Sequence, residues 1–177
     1  MHSHQNCIIQ KETMYYLGYI VPSNHIDAFV TTSPQIAWRL TGLYGHPDDQ
    51  CKHETWSLLR HLKNRATLPW VCMGDSNEIL SSNEKNGRLP KPLGLMQNFR
   101  NALLNCGLVD LGYNGRIFTW RNGREDDAFV EEKLDWAYAT VEWRELFPMA
   151  KLSHLCVSYS DHDPILLETK ATVTQRS

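Results

Sequence analysis

The sequence predicts a mixed α/β sandwich, and three observations predict it. Strand-like runs outnumber helical ones, and some are linked as hairpins. Two stretches, 48–65 and 93–105, carry apolar residues at helical spacing. A short apolar run, 69–73, stops at Gly74 and is followed at once by Asp75 and Asn77. That run reads as a buried strand, and the rest of the chain is organised around it. Residues two apart on an extended backbone share a side, so Asp75 and Asn77 both project from its carboxyl end.

In chain order, residues 1–13 are polar and are expected to be poorly ordered. Residues 14–21 are aromatic and β-branched and predict a strand closed by Pro22-Ser23-Asn24. Residues 25–32 alternate Ile26, Ala28 and Val30 against His25, Asp27 and Phe29, completing a hairpin. Residues 36–44 predict a third strand, ending at Gly45-His46-Pro47. Asp48 or Asp49 can cap a helix running to about Arg65, with Trp56, Leu58, Leu59 and Leu62 on its apolar side. Residues 81–92 read as a polar loop. The second helix carries Met96, Phe99, Leu103 and Leu104 and stops at Gly107. Short strands are expected at 108–111 and 116–120, and longer ones at 128–139, 151–159 and 165–169, with a short helix at 141–147. Residues 14–169 form one domain and 170–177 a tail.

Composition bounds the function. The 42% hydrophobic and 21% charged fractions suit a globular chain, and the net charge of −2 supplies no general attraction to nucleic acid. Any polyanion must be drawn by local Lys and Arg groups or by bound metal. The five cysteines form no CxxC pair. Cys72 and Cys106 lie in apolar runs, which suggests a reducing, intracellular setting. No stretch approaches the ~18 apolar residues of a spanning helix, so no membrane is expected.

A second polar cluster, Ser160-Asp161-His162-Asp163-Pro164, precedes the apolar run Ile165-Leu166-Leu167. Two such clusters at strand boundaries are what a metal-assisted phosphodiester site needs. Taken alone, Asp75 and Asn77 are equally a turn after a strand. Ser160, Asp161 and His162 make a poor triad, because neighbours on a strand point apart. Tyr44 reads either as a site residue or as a core aromatic with a wet tip. Asp135, set between Leu134 and Trp136, needs a partner. Cys51, His53 and His61 match no zinc spacing and read as helix-surface residues. Arg60, Lys63 and Arg65, or Arg116, Arg121 and Arg124, either touch phosphates or form a solvated face.

Five segments in order resemble the endonuclease/exonuclease/phosphatase superfamily: Thr41-Gly42-Leu43-Tyr44-Gly45, 74–80, Phe118-Thr119-Trp120, Lys133-Leu134-Asp135 and 160–165. The residues 106–112 and the lead-in Trp38-Arg39-Leu40-Thr41-Gly42 look most like the endonuclease domains of plant LINE-type (non-LTR) retrotransposons. The resemblance covers about residues 24–169. It implies a four-layer α/β/β/α sandwich and Mg²⁺- or Mn²⁺-dependent cleavage of DNA, for which an intracellular location, the nucleus included, is expected. By the same resemblance Asp75 activates or orients the attacking water, and Asn77 bonds the phosphate or holds that aspartate. Tyr44 contacts the phosphate or leaving oxygen, His162 stabilises the transition state with Asp135 orienting its ring, and Asp161 sits at the metal.

Three departures shape the expectation. The family's first strands, with a metal-site Asn and Glu, do not precede the match, and Glu12-Thr13 lies too near Asn24 to replace them. Ser76 stands where the motif has Phe. Lys133 and Trp136 stand where the plant group has Arg. A truncated member with weakened metal binding is therefore expected. The rival readings are an inactive remnant that binds nucleic acid or a partner, and a phosphatase acting on a small or lipid phosphate. Oligomeric state is not legible in the sequence.

Overall fold

The computed structural model describes residues 24–31, 36–87 and 89–169, together with the backbone alone of 7–10, 15–20 and 32–33. The chain runs β1 (Cys7–Gln10), β2 (Tyr15–Ile20), β3 (His25–Ser33), β4 (Ile36–Tyr44), α1 (Lys52–Lys63), β5 (Trp70–Asp75) and β6 (Lys85–Gly87). It continues through α2 (Leu93–Cys106), β7 (Val109–Asp110), β8 (Trp120–Arg121), β9 (Val130–Glu132), β10 (Asp135–Ala139), α3 (Val141–Leu146), β11 (Lys151–His154) and β12 (Ile165–Glu168). Six strands form the main sheet in the order β2-β3-β4-β5-β10-β7. Two smaller sheets have the orders β1-β12-β11 and β6-β9-β8. β4 and β5 run parallel, joined through α1, whereas β10 returns antiparallel to β5.

β5 is buried on both faces, which explains its unbroken apolar run. Trp70 and Cys72 face α1 and α2, where Trp56, Leu59, Leu62, Phe99, Leu103 and Cys106 form one core. Val71 and Met73 face the other way, toward Trp38, Leu40, Ala137, Trp143 of α3, Phe147 just after it, and Leu152, Ile165 and Leu167 of the small β1-β12-β11 sheet. The expected mixed α/β sandwich is the architecture found, with the α1–α2 pair on one face of the main sheet and α3 and the β1-β12-β11 sheet on the other. Cys72 and Cys106 are buried free thiols, as expected.

Several local expectations are revised. Cys7–Gln10, in the segment expected to be poorly ordered, pairs in parallel with β12; Glu12, Thr13 and the 170–177 tail lie outside the described residues. The loop 81–92 holds a short 3₁₀ turn, Ser82–Glu84, and β6. The α1 start is Lys52, with Cys51 and not an aspartate at its cap, and no side chain caps it. The 128–139 strand is broken at Lys133-Leu134, because the chain there leaves one sheet for another. The 151–159 strand ends at His154. On β3 the expected alternation does not hold: Ile26 and Phe29 are exposed, whereas His25 and Asp27 are covered along with Ala28 and Val30. The reason is Arg39, 1% exposed, whose Nε and Nη2 donate to the two Asp27 oxygens at 2.8 and 2.7 Å. Its Nη1 donates to the Leu62 carbonyl at 2.5 Å, tying the pair to α1.

Phe99 stacks on Trp56 with ring centroids 4.6 Å apart and meets Tyr138 edge-on at 5.8 Å. Phe99→Ala should lower unfolding free energy by about 3–5 kcal/mol in urea titration. A loss under about 1 kcal/mol would mean that the helix layer is not packed on the sheet in this way.

Candidate active site

The site is laid out by strand register. Asp75 pairs with Tyr44 on one side and with Asp135 on the other, so three polar side chains occupy one rung at the end of the main sheet. Paired residues project to the same side. Two glycines permit the close packing behind this rung. A Cβ on Gly74, whose φ is +134°, would meet the Leu43 carbonyl oxygen at 2.3 Å, and one on Gly45 would meet the Ser76 oxygen at 2.1 Å. Gly45 N–H in turn donates to the Asp75 carbonyl at 2.7 Å.

Asn77 takes a left-handed backbone, φ +53°, which Asn tolerates better than most residues. Its backbone N–H donates to Asp75 Oδ1 at 2.8 Å, and its Nδ2 to Asp75 Oδ2 at 3.2 Å and the Gly45 carbonyl at 2.8 Å. Of the two roles expected for Asn77, holding the aspartate is the one its hydrogen bonds serve. Lys52, 1% exposed, donates its ammonium to the Asn77 carbonyl and lies 3.7 Å from Glu78. Burial lowers the Lys52 pKa and raises that of Glu78, each partly offset by opposite charge nearby.

His162 reaches the rung from the loop before β12. Its Nδ1 is 3.0 Å from Asp135 Oδ2 and its Nε2 3.9 Å from Asp75 Oδ2. The loop is stitched to β8: Arg121 N–H donates to the Asp161 carbonyl at 3.0 Å, and Asp163 N–H to the Thr119 carbonyl at 2.7 Å. Arg121 also holds both Asp163 oxygens at 2.9 Å. Thr119 Oγ1 accepts from the backbone N–H groups of Leu134 and Asp135, both at 3.0 Å, which places Asp135. Lys52 is a positioning residue that sequence reading missed, and Thr119, Arg121 and Asp163, which lie in segments it singled out, act here by positioning others. Phe118-Thr119-Trp120 marked the place, but only the fold shows that a hydroxyl there reaches another strand.

Tyr44, Asp75, Asn77, Asp161 and His162 line one cavity of about 320 Å³, with Lys91, Trp120 and Glu132. Asp161 is exposed at it. Asp135 stands behind His162, so five of the six expected site residues line the cavity and the sixth braces one of them. The electrostatics are strained. Burial, and then the neighbouring Asp135, push the Asp75 carboxyl up to about 7, against the pull of His162, the Asn77 N–H and Lys52. Burial opposes charge on His162, but the Asp135 hydrogen bond and charge, with Asp75 and Asp161, outweigh it and raise the ring's pKa. The array thus favours the charged form of the His162 ring while holding back ionisation of the Asp75 carboxyl beside it.

Two of the departures from the expected motifs, at Ser76 and at Lys133 with Trp136, are accommodated locally. Ser76 is buried, and its hydroxyl donates to the Glu78 and Leu134 carbonyls at 3.1 and 3.0 Å. Lys133 and Trp136 answer each other: the ammonium lies 3.4 Å from the indole ring centroid.

Because the folded-state pKa of Asp75 lies above its ordinary 3.8, this group costs stability as pH rises through the interval from 3.8 to about 7. Asp75→Asn removes that cost. With chelator present, its stability relative to the unaltered chain should improve by roughly 1–3 kcal/mol between pH 5 and pH 8 in denaturant titrations. A gap that stays constant across this range would mean that Asp75 ionises as it does in water.

Among solved structures, the chain is similar to the endonuclease domain of TRAS1, a telomere-specific non-LTR retrotransposon. The two share 14% identity with a TM-score of 0.72, and the match covers 92% of this chain and 71% of that one. No family model matches the sequence, and no curated protein does. Among the described residues no helix is long and apolar enough to cross a membrane. At this identity the likeness is one of fold: the chain has the mixed α/β architecture of that endonuclease domain.

Proposed function

We propose that this chain is an endonuclease domain of the plant LINE type, of the endonuclease/exonuclease/phosphatase superfamily, which nicks a phosphodiester bond of DNA. The observation that carries the reading is the Asp75–His162–Asp135 array at one rung, facing a cavity with Tyr44 and Asn77. Asp75, held by Asn77, orients and deprotonates the attacking water. His162, its ring fixed by Asp135, brings positive charge to the phosphate as negative charge develops on its oxygens. Tyr44 donates from the neighbouring strand to a phosphate or leaving oxygen.

The resemblance implies Mg²⁺ or Mn²⁺, and Asp161 is the carboxylate assigned to it. Hard cations take several oxygen ligands. Among the described residues no group of three His, Cys, Asp or Glu side chains converges to hold one. These residues therefore do not complete a cation's ligand set by themselves, and no step above is routed through the metal. The same observation favours a second reading, a remnant that binds nucleic acid without cutting it.

Nicking of supercoiled plasmid separates the two. Metal-dependent nicking that falls at least about 100-fold in both Asp75→Ala and His162→Ala is the expected result. Folded protein that leaves plasmid intact in Mg²⁺ and Mn²⁺ would establish the remnant instead. Nicking unchanged by either substitution would place the chemistry elsewhere.

A further inference from the structure

A second cavity, also of about 320 Å³, lies on the other side of Tyr44, which lines both. It is walled by His25 at the start of β3, Tyr44 at the end of β4, and Glu54, Leu58 and His61 of α1, with Arg65 just beyond. The spacing 54, 58, 61, 65 is that of one helix face. These positions flank the buried face of α1, which carries Thr55, Trp56, Leu59 and Leu62; on the flank Leu58 is half-buried, and His61 and Arg65 stand exposed at its end.

His25 gives the cavity a specific demand. The residue is 8% exposed, and its Nε2 is buried with no hydrogen-bond partner. An unmet buried polar atom of this kind costs about 1–3 kcal/mol. Burial holds the ring below its ordinary pKa; Asp27 opposes this, while Arg65, Arg39 and His61 act in the same direction. A neutral imidazole can offer one N–H donor there. His61 and Arg65 are exposed at the cavity and free to meet an anion, while Glu54 on the same helix face repels one and confines it to their side.

We propose that this cavity is a backbone-phosphate subsite of the nuclease, which takes the phosphodiester adjoining the one at the catalytic cavity, with Arg65 and His61 on the phosphate oxygens and His25 Nε2 donating to one of them. It rests on the endonuclease reading above, because Tyr44 as a shared wall makes the two cavities successive stations for one strand. A volume near the lower bound of small-ligand pockets suits a single nucleotide unit.

The test follows the imidazole resonances of ¹⁵N-labelled chain in chelator, with His25→Gln assigning the His25 signal. A single-stranded tetranucleotide and deoxythymidine 5′-monophosphate are titrated in parallel. Saturable movement of the His25 signal with the tetranucleotide is expected. Arg65→Gln should weaken that binding about 10-fold and flatten its salt dependence by about one unit of slope. Arg65 is exposed, so this variant keeps the fold. The subsite is overturned if the tetranucleotide fails to bind, or binds with the His25 signal unmoved and Arg65→Gln without effect. It is overturned equally if the mononucleotide binds at least as tightly, which would make the cavity a free-nucleotide pocket. Plasmid nicking by the unaltered chain keeps the two ideas apart. Nicking without His25 movement sinks the subsite alone, and His25 movement without nicking sinks the cleavage reading alone.

Discussion

The register of β5 between its two neighbours is the constraint on which the site depends. A strand paired one residue out of step would turn Asp75 to the opposite face of the sheet and separate it from Tyr44 and Asp135. Two features hold the register. The buried Arg39–Asp27 pair, with Thr41 donating to Asp27 at 2.8 Å and Trp70 donating to Thr41 at 2.9 Å, locks β3, β4 and β5 together from behind. Gly74 and Gly45 then let the chain turn out of the sheet where any side chain would collide with backbone. The polar rung is thus placed by groups that never reach the cavity.

Charge is handled differently on the two sides of that rung. Behind it, each buried charge has a defined opposite: Arg39 with Asp27, Lys52 with Glu78, Lys133 with Glu84 and Asp110. At the cavity, Asp75 and Asp135 crowd one histidine, and the carboxylates are only partly compensated. An apolar interior tolerates such crowding poorly unless a cation or a proton relieves it. Functional sites are where this kind of excess is retained.

Much of this was legible in the sequence. The strand 69–75, both helices and the 25–44 hairpin partners could be read from apolar runs and turn residues, while Tyr44, Asp75, Asn77, Asp135, Asp161 and His162 were singled out mainly by the resemblance of their segments to a known superfamily. The rest was hidden for physical reasons. Asp27 reads as an outward residue until its Arg39 partner is known, because burial of a charge depends on a neighbour distant in sequence. Thr119 looks like an ordinary strand residue, since its function is a hydrogen bond across two sheets. The break at Lys133-Leu134 was invisible because both flanking runs are strand-like. His25 carried no motif and Arg65 was only one of several basic residues that could touch phosphates; the packing of α1 over β3 and β4 is what brings the two to one cavity.

The parallel and antiparallel pairings of β5 also set an order of assembly. β2, β3 and β4 pair with their neighbours in chain order, and β5 reaches β4 through the α1 crossover, so these strands close over modest sequence separations. The partner strand β10 returns only after α2 and the β6–β9 excursion, and the histidine loop comes later still in the chain. Distant pairings of this kind form slowly. Asp75 therefore stands on a segment that pairs with near neighbours in the chain, whereas Asp135 and His162 reach it from segments distant in sequence.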